Sequence, residues 1–230
     1  MLQLAPFYPY VYRILQPTFR QCLWNGHPHS PQIALTFDDG PHPEYTPQLL
    51  KVLDKYQIPA SFFWLGVCVE RIPEIARSVF TNHHWLGIHG YYHHNFPFLS
   101  PEHLQNSLVR TQRIIANACN LAPENIVDVR PPNGLFTPKT LKLLRQWNFR
   151  PVMWSVVPED WVRPGIEVVN RRVLTQVRNG SIIVLHDGYY GGQDVAATVD
   201  CLIPKLQERG YEFVTIPQLW QSQSCSGRQS

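Results

Sequence analysis

Two aspartates stand side by side directly after a short apolar run. Residues 33–37 are rich in β-branched and aromatic side chains, which predicts a buried strand, and the pair Gly40-Pro41 ends it. Asp38 and Asp39 therefore lie where a core strand ends. Two neighbouring negative charges in a half-buried place are unfavourable unless a cation or a proton neutralises them. The pair indicates a metal-assisted hydrolase, with a capped turn or a calcium-like surface site as the alternative interpretation.

Two histidines spaced four residues apart can supply the rest of a metal site. His89 and His93 come directly after a predicted strand, and side chains at i and i+4 of a helical turn share one face and can hold a single cation. Two imidazoles and one carboxylate leave coordination positions open for water, which is typical of a catalytic rather than a structural site. The other histidines nearby are interpreted as flanking residues: His83, His84 and His94.

The composition is that of an ordinary globular protein. The 230 residues are 44% hydrophobic, enough for one sizeable core, and a net charge of only +3 argues against a nucleic-acid partner. Ten His and seven Trp are more informative, because His is a common metal ligand and exposed aromatic rings suit the faces of sugars. The five cysteines form no Cys-x-x-Cys pair, so they predict small buried hydrophobes and one tail thiol rather than a disulfide framework or a zinc knuckle.

Both ends are predicted to lie outside the main domain. Residues 1–12 are apolar, but the first basic residue, Arg13, lies on the wrong side of that run for a secretory signal. We find no stretch that approaches the ~20 apolar residues of a transmembrane helix. We predict that residues 1–30 form a strap across the base of the domain, with contact between this aromatic segment and a membrane surface as the alternative. The Gln- and Ser-rich residues 221–230 are predicted to be a disordered tail.

Seven short apolar runs alternate with helical patterns. The predicted strands are residues 33–37, 60–65, 85–88, 126–129, 151–156, 181–185 and 212–216. The predicted helices are residues 44–56, 71–80, 101–119, 138–147, 166–178 and 194–208. This alternation predicts an α/β protein with a parallel sheet that is closed, or nearly closed, as a barrel. The loops after the strands form the active face of such a barrel, and the polar residues of interest all follow strands. They are Asp38, Asp39, His89, His93, Arg130, Asp160 and His186.

Taken in order, these motifs resemble those of the polysaccharide deacetylases, carbohydrate esterase family four. The matching stretches, spread over residues 33–220, are Thr-Phe-Asp-Asp-Gly, His-x-x-x-His, Arg-Pro-Pro-x-Gly, Asp-Trp and Val-Leu-His. The resemblance implies a distorted seven-stranded (β/α) barrel, formed as a single domain by residues 31–220. It also implies a metal-dependent hydrolase that removes N-acetyl groups from poly- or oligosaccharides containing N-acetylglucosamine, such as peptidoglycan or chitin.

The resemblance implies a role for each residue of the metal centre. Asp39, His89 and His93 would hold a divalent metal, commonly zinc and sometimes cobalt or nickel. Asp38 would be the general base, acting on a water whose pKa the metal has lowered. Arg130 would pair with Asp38 and keep it ionised, although a purely structural salt bridge would make the same contact.

The same resemblance implies roles for five more residues. The backbone N–H of Asn133 would stabilise the tetrahedral oxyanion. His186 would donate a proton to the leaving amine, with Asp160 as the carboxylate that raises its pKa. Trp161 and Val184 would wall the pocket for the acetyl methyl group. The alternatives are a core histidine for His186 and plain core packing for Trp161.

Three positions depart from the family pattern. Gly90 stands where Ser or Thr is usual, Asn133 where Tyr is usual, and Val157 where Asp is frequent. None is an implied ligand, base or acid, so we expect an active enzyme with an altered substrate groove.

The alternative functions are an O-acetyl esterase on xylan-like polymers and a catalytically inactive sugar-binding homologue. The substrate class places the expected site of action at the cell envelope, although no secretory signal is recognised, and the sequence leaves the oligomeric state open.

Overall fold

A curled parallel β-sheet forms the centre of the molecule in the computed structural model, which describes residues 7–226. Its strands are β1 (Gln32–Asp38), β2 (Ser61–Trp64), β3 (Trp85–Ile88), β4 (Asp128–Val129), β5 (Arg150–Pro151), β6 (Ile182–His186) and β7 (Glu212–Phe213). The order across the sheet is β5-β4-β3-β2-β1-β6, and β7 also pairs with β1. Beyond β5, Val156 forms a parallel bridge to Ile183 of β6, so this segment links the two ends of the curled sheet. The predicted fold, a distorted seven-stranded (β/α) barrel in a single domain, is confirmed.

Helices follow the strands and cover the outside of the sheet. They are α1 (Tyr8–Thr18), α2 (Tyr45–Lys55), α3 (Gly66–Arg71), α4 (Pro73–Thr81), α5 (Pro101–Cys119), α6 (Pro138–Gln146), α7 (Ile166–Gln176), α8 (Val195–Glu208) and α9 (Ile216–Ser226). Ser100 caps α5 by accepting a hydrogen bond from the His103 N–H at 3.2 Å, which is the cap that the sequence predicts. The helix predicted over residues 71–80, with Pro73 as its opening residue, is α4, which begins at Pro73. Helix α3 is a separate short helix that the sequence pattern did not indicate.

The register of the sheet brings the ends of the strands to one level. Asp38 is the partner of His186 across β1 and β6 and of Phe63 across β1 and β2. Ile88, the last residue of β3, is the partner of Val129, the last residue of β4. The residues that follow these strands therefore meet at one rim of the barrel, as the strand order predicts.

Side chains of β1 alternate between two apolar layers. Ile33, Leu35 and Phe37 are buried in the main core, whereas Ala34 belongs to a smaller cluster with Phe63 and residues of other strands. Because side chains alternate along a strand, Asp38 points to the same side as Ala34, toward the inside of the barrel. The strand thus directs a carboxylate inward at its carboxyl end.

The two ends of the chain are only partly as expected. Residues 19–30 follow α1 as turns and irregular chain, with a parallel bridge from Leu23 to Val152 and an antiparallel bridge from Asn25 to Ser181. The prediction of a disordered tail over residues 221–230 is corrected for residues 221–226, because α9 continues to Ser226. Residues 1–6 of the predicted strap and 227–230 of the predicted tail lie outside the described residues. The boundaries 1–30 and 31–220 stay predictions.

None of the helices found within residues 7–226 combines the length and the apolar character that crossing a bilayer requires.

Candidate active site

One carboxylate oxygen and two imidazole nitrogens face each other at the rim of the barrel. Oδ1 of Asp39 lies 3.5 Å from Nε2 of His89 and 3.5 Å from Nε2 of His93. The three candidate ligand atoms all lie within 4.8 Å of one another. Oδ1 of Asp39 is buried and accepts no hydrogen bond within the part of the chain that the structure describes. A buried carboxylate oxygen without a donor, opposite two imidazole nitrogens, fits a divalent cation.

The surroundings of His89 prepare it as a ligand. Its Nδ1 lies 2.8 Å from the backbone carbonyl of Arg130, so Nδ1 carries the proton and Nε2 presents its lone pair toward Asp39. Burial lowers the pKa of His89 to about 3, although the nearby Asp39 carboxylate acts in the opposite direction. The imidazole is therefore neutral at neutral pH, which is the state that binds a metal.

The backbone around Asp39 is tightly constrained. Asp39 has a left-handed φ of +72°, and its N–H donates to the carbonyl of Phe63 at 3.2 Å. Gly188, in the loop after β6, packs so closely that a Cβ there would lie 2.6 Å from the backbone of Asp39. Only glycine fits this contact, so the loops after β1 and β6 together fix the position of the carboxylate.

Asp38 forms a buried ion pair with Arg130. Nη1 of Arg130 donates to Oδ1 of Asp38 at 2.6 Å and to Oγ1 of Thr36 at 2.8 Å, while Nη2 donates to the carbonyl of Met153 at 3.0 Å. The guanidinium also lies 4.1 Å over the ring of Phe63. Burial lowers the pKa of Arg130, but the Asp38 carboxylate opposes this shift. The pair fixes the orientation of Asp38, which borders the active-site cavity.

His186 is held by Asp160 through both its backbone and its side chain. Oδ2 of Asp160 accepts from the backbone N–H of His186 at 2.7 Å, and Oδ1 lies 2.8 Å from Nδ1. Burial lowers the pKa of His186, but the Asp160 carboxylate outweighs it and, with help from Asp39 and Asp38, raises the pKa to about 9. The imidazole is therefore protonated at neutral pH, and Nε2 is the nitrogen left to act on a ligand.

A cavity of about 380 Å³ opens between these groups, which is within the usual range for small-ligand sites. It is lined by Asp38, Asp39, His89, His93, Pro131, Asn133, Gly134, Trp154, Val157, Trp161, Val184, His186 and Tyr190. The turn at Asn133 is closed by the N–H groups of Gly134 and Leu135, which donate to the two preceding prolines at 3.0 and 3.1 Å. The N–H of Asn133 takes no part in those turn bonds and is the first backbone donor after the prolines.

All ten residues selected from the sequence are brought together. Eight line the cavity, while Arg130 and Asp160 lie behind Asp38 and His186. Sequence reasoning missed Trp154 and Tyr190. Trp154 falls within the predicted strand 151–156 and belongs to none of the motifs, whereas Tyr190 follows His186 in the same loop and could have been found from that position.

The structure gives physical reasons for two of the departures noted above. Gly90 has a φ of +94°, and a Cβ there would lie 2.9 Å from the carbonyl of Tyr92, so a larger residue would strain this turn. The side chain of Asn133 donates to Oδ1 of Asn95 at 2.7 Å, which ties its loop to the loop after β3. Val157 is buried and adds an apolar surface to the cavity.

Comparison with known proteins identifies the family. The family model described as polysaccharide deacetylase matches residues 25–152. The chain is 35% identical over 199 residues to a chitooligosaccharide deacetylase of a Bradyrhizobium species, covering 81% of this chain and 90% of that one. It superposes on a crystal structure of a peptidoglycan N-acetylglucosamine deacetylase with a TM-score of 0.83 and 31% identity, covering 88% of this chain and 94% of the other. A family 4 acetyl xylan esterase from Clostridium thermocellum, solved with a cobalt ion, gives a TM-score of 0.75 and 31% identity over 83% and 90% of the two chains. With a matching sequence model, relatives of nearly equal length and the same fold, this chain belongs to the polysaccharide deacetylase family.

Proposed function

We propose that this protein is a zinc-dependent deacetylase that removes N-acetyl groups from glycans containing N-acetylglucosamine. The names of its chitooligosaccharide and peptidoglycan relatives support the substrate class. The observation that carries the proposal is the unpartnered Oδ1 of Asp39, which faces two imidazole nitrogens at 3.5 Å beside the paired Asp38. The substrate class places the proposed site of action at the cell envelope.

Asp39, His89 and His93 would hold the metal. Two imidazoles and one carboxylate are a donor set that suits zinc, and cobalt or nickel would be bound by the same atoms. The bound metal would supply Lewis-acid chemistry, which lowers the pKa of water and polarises the acetyl carbonyl. His93 is the more exposed of the two histidines, so it would hold the metal from the solvent side of the cavity.

Asp38 is the proposed general base. Its Oδ1 accepts a hydrogen bond from Arg130 at 2.6 Å, so its rotamer is fixed by a charged donor. A base of this kind takes a proton from the attacking water as the bond to the acetyl carbon forms. Arg130 does not line the cavity, so it acts through Asp38 as a positioning residue.

His186 is the proposed general acid. Because Nδ1 is engaged by Asp160, Nε2 is the atom that donates a proton to the amine nitrogen as the carbon–nitrogen bond breaks. An amine is a strongly basic leaving group, so the imidazolium form favoured by Asp160 is the useful one. The N–H of Asn133 is the proposed donor to the oxyanion that forms on the acetyl carbonyl.

Two apolar side chains are proposed to receive the acetyl methyl group. Val184 is buried on β6 beside His186, and the ring of Trp161 lies edge-on to the His186 ring with centroids 5.0 Å apart. Both line the cavity. Burial of the methyl group against them excludes water from the face of the imidazole.

The proposal is tested by acetate release from a chito-oligomer of four N-acetylglucosamine units. The purified chain should contain about one zinc-like metal, lose turnover with chelator and regain it when zinc is added. Asp39→Asn should lose both metal and turnover, whereas Asp200→Asn, which changes an exposed carboxylate outside the cavity, should retain both. Full turnover by metal-free protein would refute the proposal. No acetate release by the zinc-loaded protein from either chito-oligomer or peptidoglycan would favour the inactive sugar-binding alternative.

A second candidate, O-acetyl esterase activity, is favoured by the likeness to the acetyl xylan esterase. An ester leaving group is less basic than an amine, so ester hydrolysis depends less on the proton from His186. His186→Ala should therefore reduce turnover of the chito-oligomer far more than turnover of an aryl acetate. Equal small losses on both substrates would favour the esterase.

A further inference from the structure

Helix α1 is fixed to the body of the protein by one of its faces. Tyr12, Leu15 and Phe19 pack against the main core. The Tyr12 hydroxyl donates to Oδ1 of Asn25 at 2.9 Å, and the Phe19 ring meets the Phe136 ring edge-on at 5.0 Å. These contacts set the rotation of the helix, so its opposite face is held outward.

That opposite face is also apolar. Phe7, Tyr10, Val11 and Ile14 are 59%, 64%, 41% and 68% exposed, and their spacing of i, i+3, i+4 and i+7 places them on one stripe. We call these four residues the outer stripe. Four of the nine large exposed apolar side chains found within residues 7–226 lie here, so the stripe is a cluster rather than scattered exposure. A helix with one face packed inward and a second apolar face in water indicates a binding surface.

The charge around the outer stripe indicates what covers it. Arg13 on α1 and Arg20 just beyond it are exposed, and neither forms an ion pair with any described residue. No Asp or Glu precedes Asp38 in the sequence. Apolar and aromatic side chains flanked by arginines, without acids, match the interface of an anionic lipid bilayer. A symmetric dimer through the stripe would instead bring like-charged arginines together with no acid to offset them.

We propose that α1 lies in the interface of an anionic membrane, with the outer stripe in the lipid boundary and Arg13 and Arg20 at the headgroups. The end of α1 also lies close to the cavity wall. Phe19 packs on Phe136, which belongs to the same loop as Asn133 in the cavity wall. The proposal concerns a surface apart from the cavity, so it holds or fails independently of the proposed reaction.

Vesicle co-sedimentation of the full chain tests this surface. Vesicles of phosphatidylcholine with about 30% phosphatidylglycerol should bind the protein, and pure phosphatidylcholine vesicles should bind it several-fold more weakly. Ile14→Glu should lower the partition coefficient about tenfold, since it places a charge in the apolar stripe. Arg13→Gln and Arg20→Gln should each lower it about fivefold on anionic vesicles only. Phe98→Glu is the matched control, because Phe98 is 81% exposed but lies in the short helical turn Phe96–Phe98 after β3 and not on α1, and it should bind like the original chain.

Three outcomes would overturn the proposal. The first is no binding to anionic vesicles, and the second is binding that Ile14→Glu leaves unchanged. The third is a dimer, seen by light scattering without lipid, that Ile14→Glu dissociates, which would assign the stripe to a second copy of the chain. Circular dichroism and the thermal midpoint of Ile14→Glu should match those of the original chain, because an exposed side chain is being replaced.

Discussion

Replacing Asp160 by Asn should move the pH dependence of turnover. The carboxylate accepts two hydrogen bonds from His186, at 2.7 and 2.8 Å, and raises the pKa of the imidazole from 6.5 to about 9 against the effect of burial. Asp160→Asn keeps the size of the side chain but removes the charge. Burial then dominates, so we expect the pKa of His186 to fall to 6.5 or below.

The size of the effect follows from the protonated fraction. At pH 8 a group with a pKa of about 9 is about 90% protonated, whereas one with a pKa of about 6.5 is only about 3% protonated, a difference of roughly 30-fold. The protonated, active form of His186 is present below its pKa. Because Asp160→Asn lowers that pKa, the alkaline limb of the kcat profile should move to lower pH in the variant. A metal at Asp39 would cancel part of the contribution of the site carboxylates, so the shift between the two proteins is the measured quantity.

The assay is acetate release from a chito-oligomer between pH 5 and 10 with zinc present. Asp200→Asn is the control, since this exposed carboxylate pairs with Lys55 at 2.6 Å outside the cavity, and it should leave the limb in place. A lower kcat for Asp160→Asn with an unmoved alkaline limb would refute the reasoning. It would mean that Asp160 orients His186 without setting its protonation.

Three further predictions concern the Asp38–Arg130 ion pair, the proposed metal site and the turn at Gly90. Arg130→Met leaves Asp38 buried without its cation, so the free energy of unfolding by denaturant should fall by about 3–5 kcal/mol, and an unchanged midpoint would contradict the ion-pair argument. His93→Ala should lower bound zinc well below one per chain by elemental analysis, whereas His103→Ala, an exposed histidine on α5, should not, and equal metal contents would exclude His93 as a ligand. Gly90→Ser should reduce stability by about 1–2 kcal/mol. Gly210 also has a left-handed φ, of +80°, but a Cβ there would have no atom within 4 Å, so Gly210→Ser should reduce stability less. Equal losses of stability in the two variants would show that the contact with Tyr92 does not contribute.

The positions of most strands could be predicted because short apolar runs alternate with helical patterns, and five of the seven runs are followed by polar residues of the candidate site. Trp85–Ile88 has the predicted bounds, and β1 extends the predicted 33–37 by one residue at each end. The predicted strand 151–156 was harder, because only Arg150–Pro151 pairs regularly with β4, while Val156 crosses to Ile183. An apolar run does not reveal that its two halves pair with different neighbours.

The first and last helices, α1 and α9, were not predicted for a different reason. Residues 1–12 contain two prolines and no polar alternation, so α1 was not predicted, yet Pro9 lies in the first turn, where its missing N–H costs nothing. In α9 the Gln- and Ser-rich composition suggested disorder, whereas Ile216 and Leu219 are buried and tie the start of this helix to the barrel. Tertiary burial outweighed local composition at this end.

Charge balance explains why the proposed metal centre lies at Asp39. Asp38 is neutralised by its buried arginine and Asp160 by its histidine, each at hydrogen-bond distance. Asp187 is held by two neutral donors, and burial raises its pKa to about 7, so a proton can neutralise it. Asp39 has none of these arrangements, because its buried Oδ1 accepts no hydrogen bond from any described residue and faces two imidazole nitrogens at 3.5 Å. Of the four carboxylates, Asp38, Asp39, Asp160 and Asp187, Asp39 is therefore the one that a bound cation would stabilise.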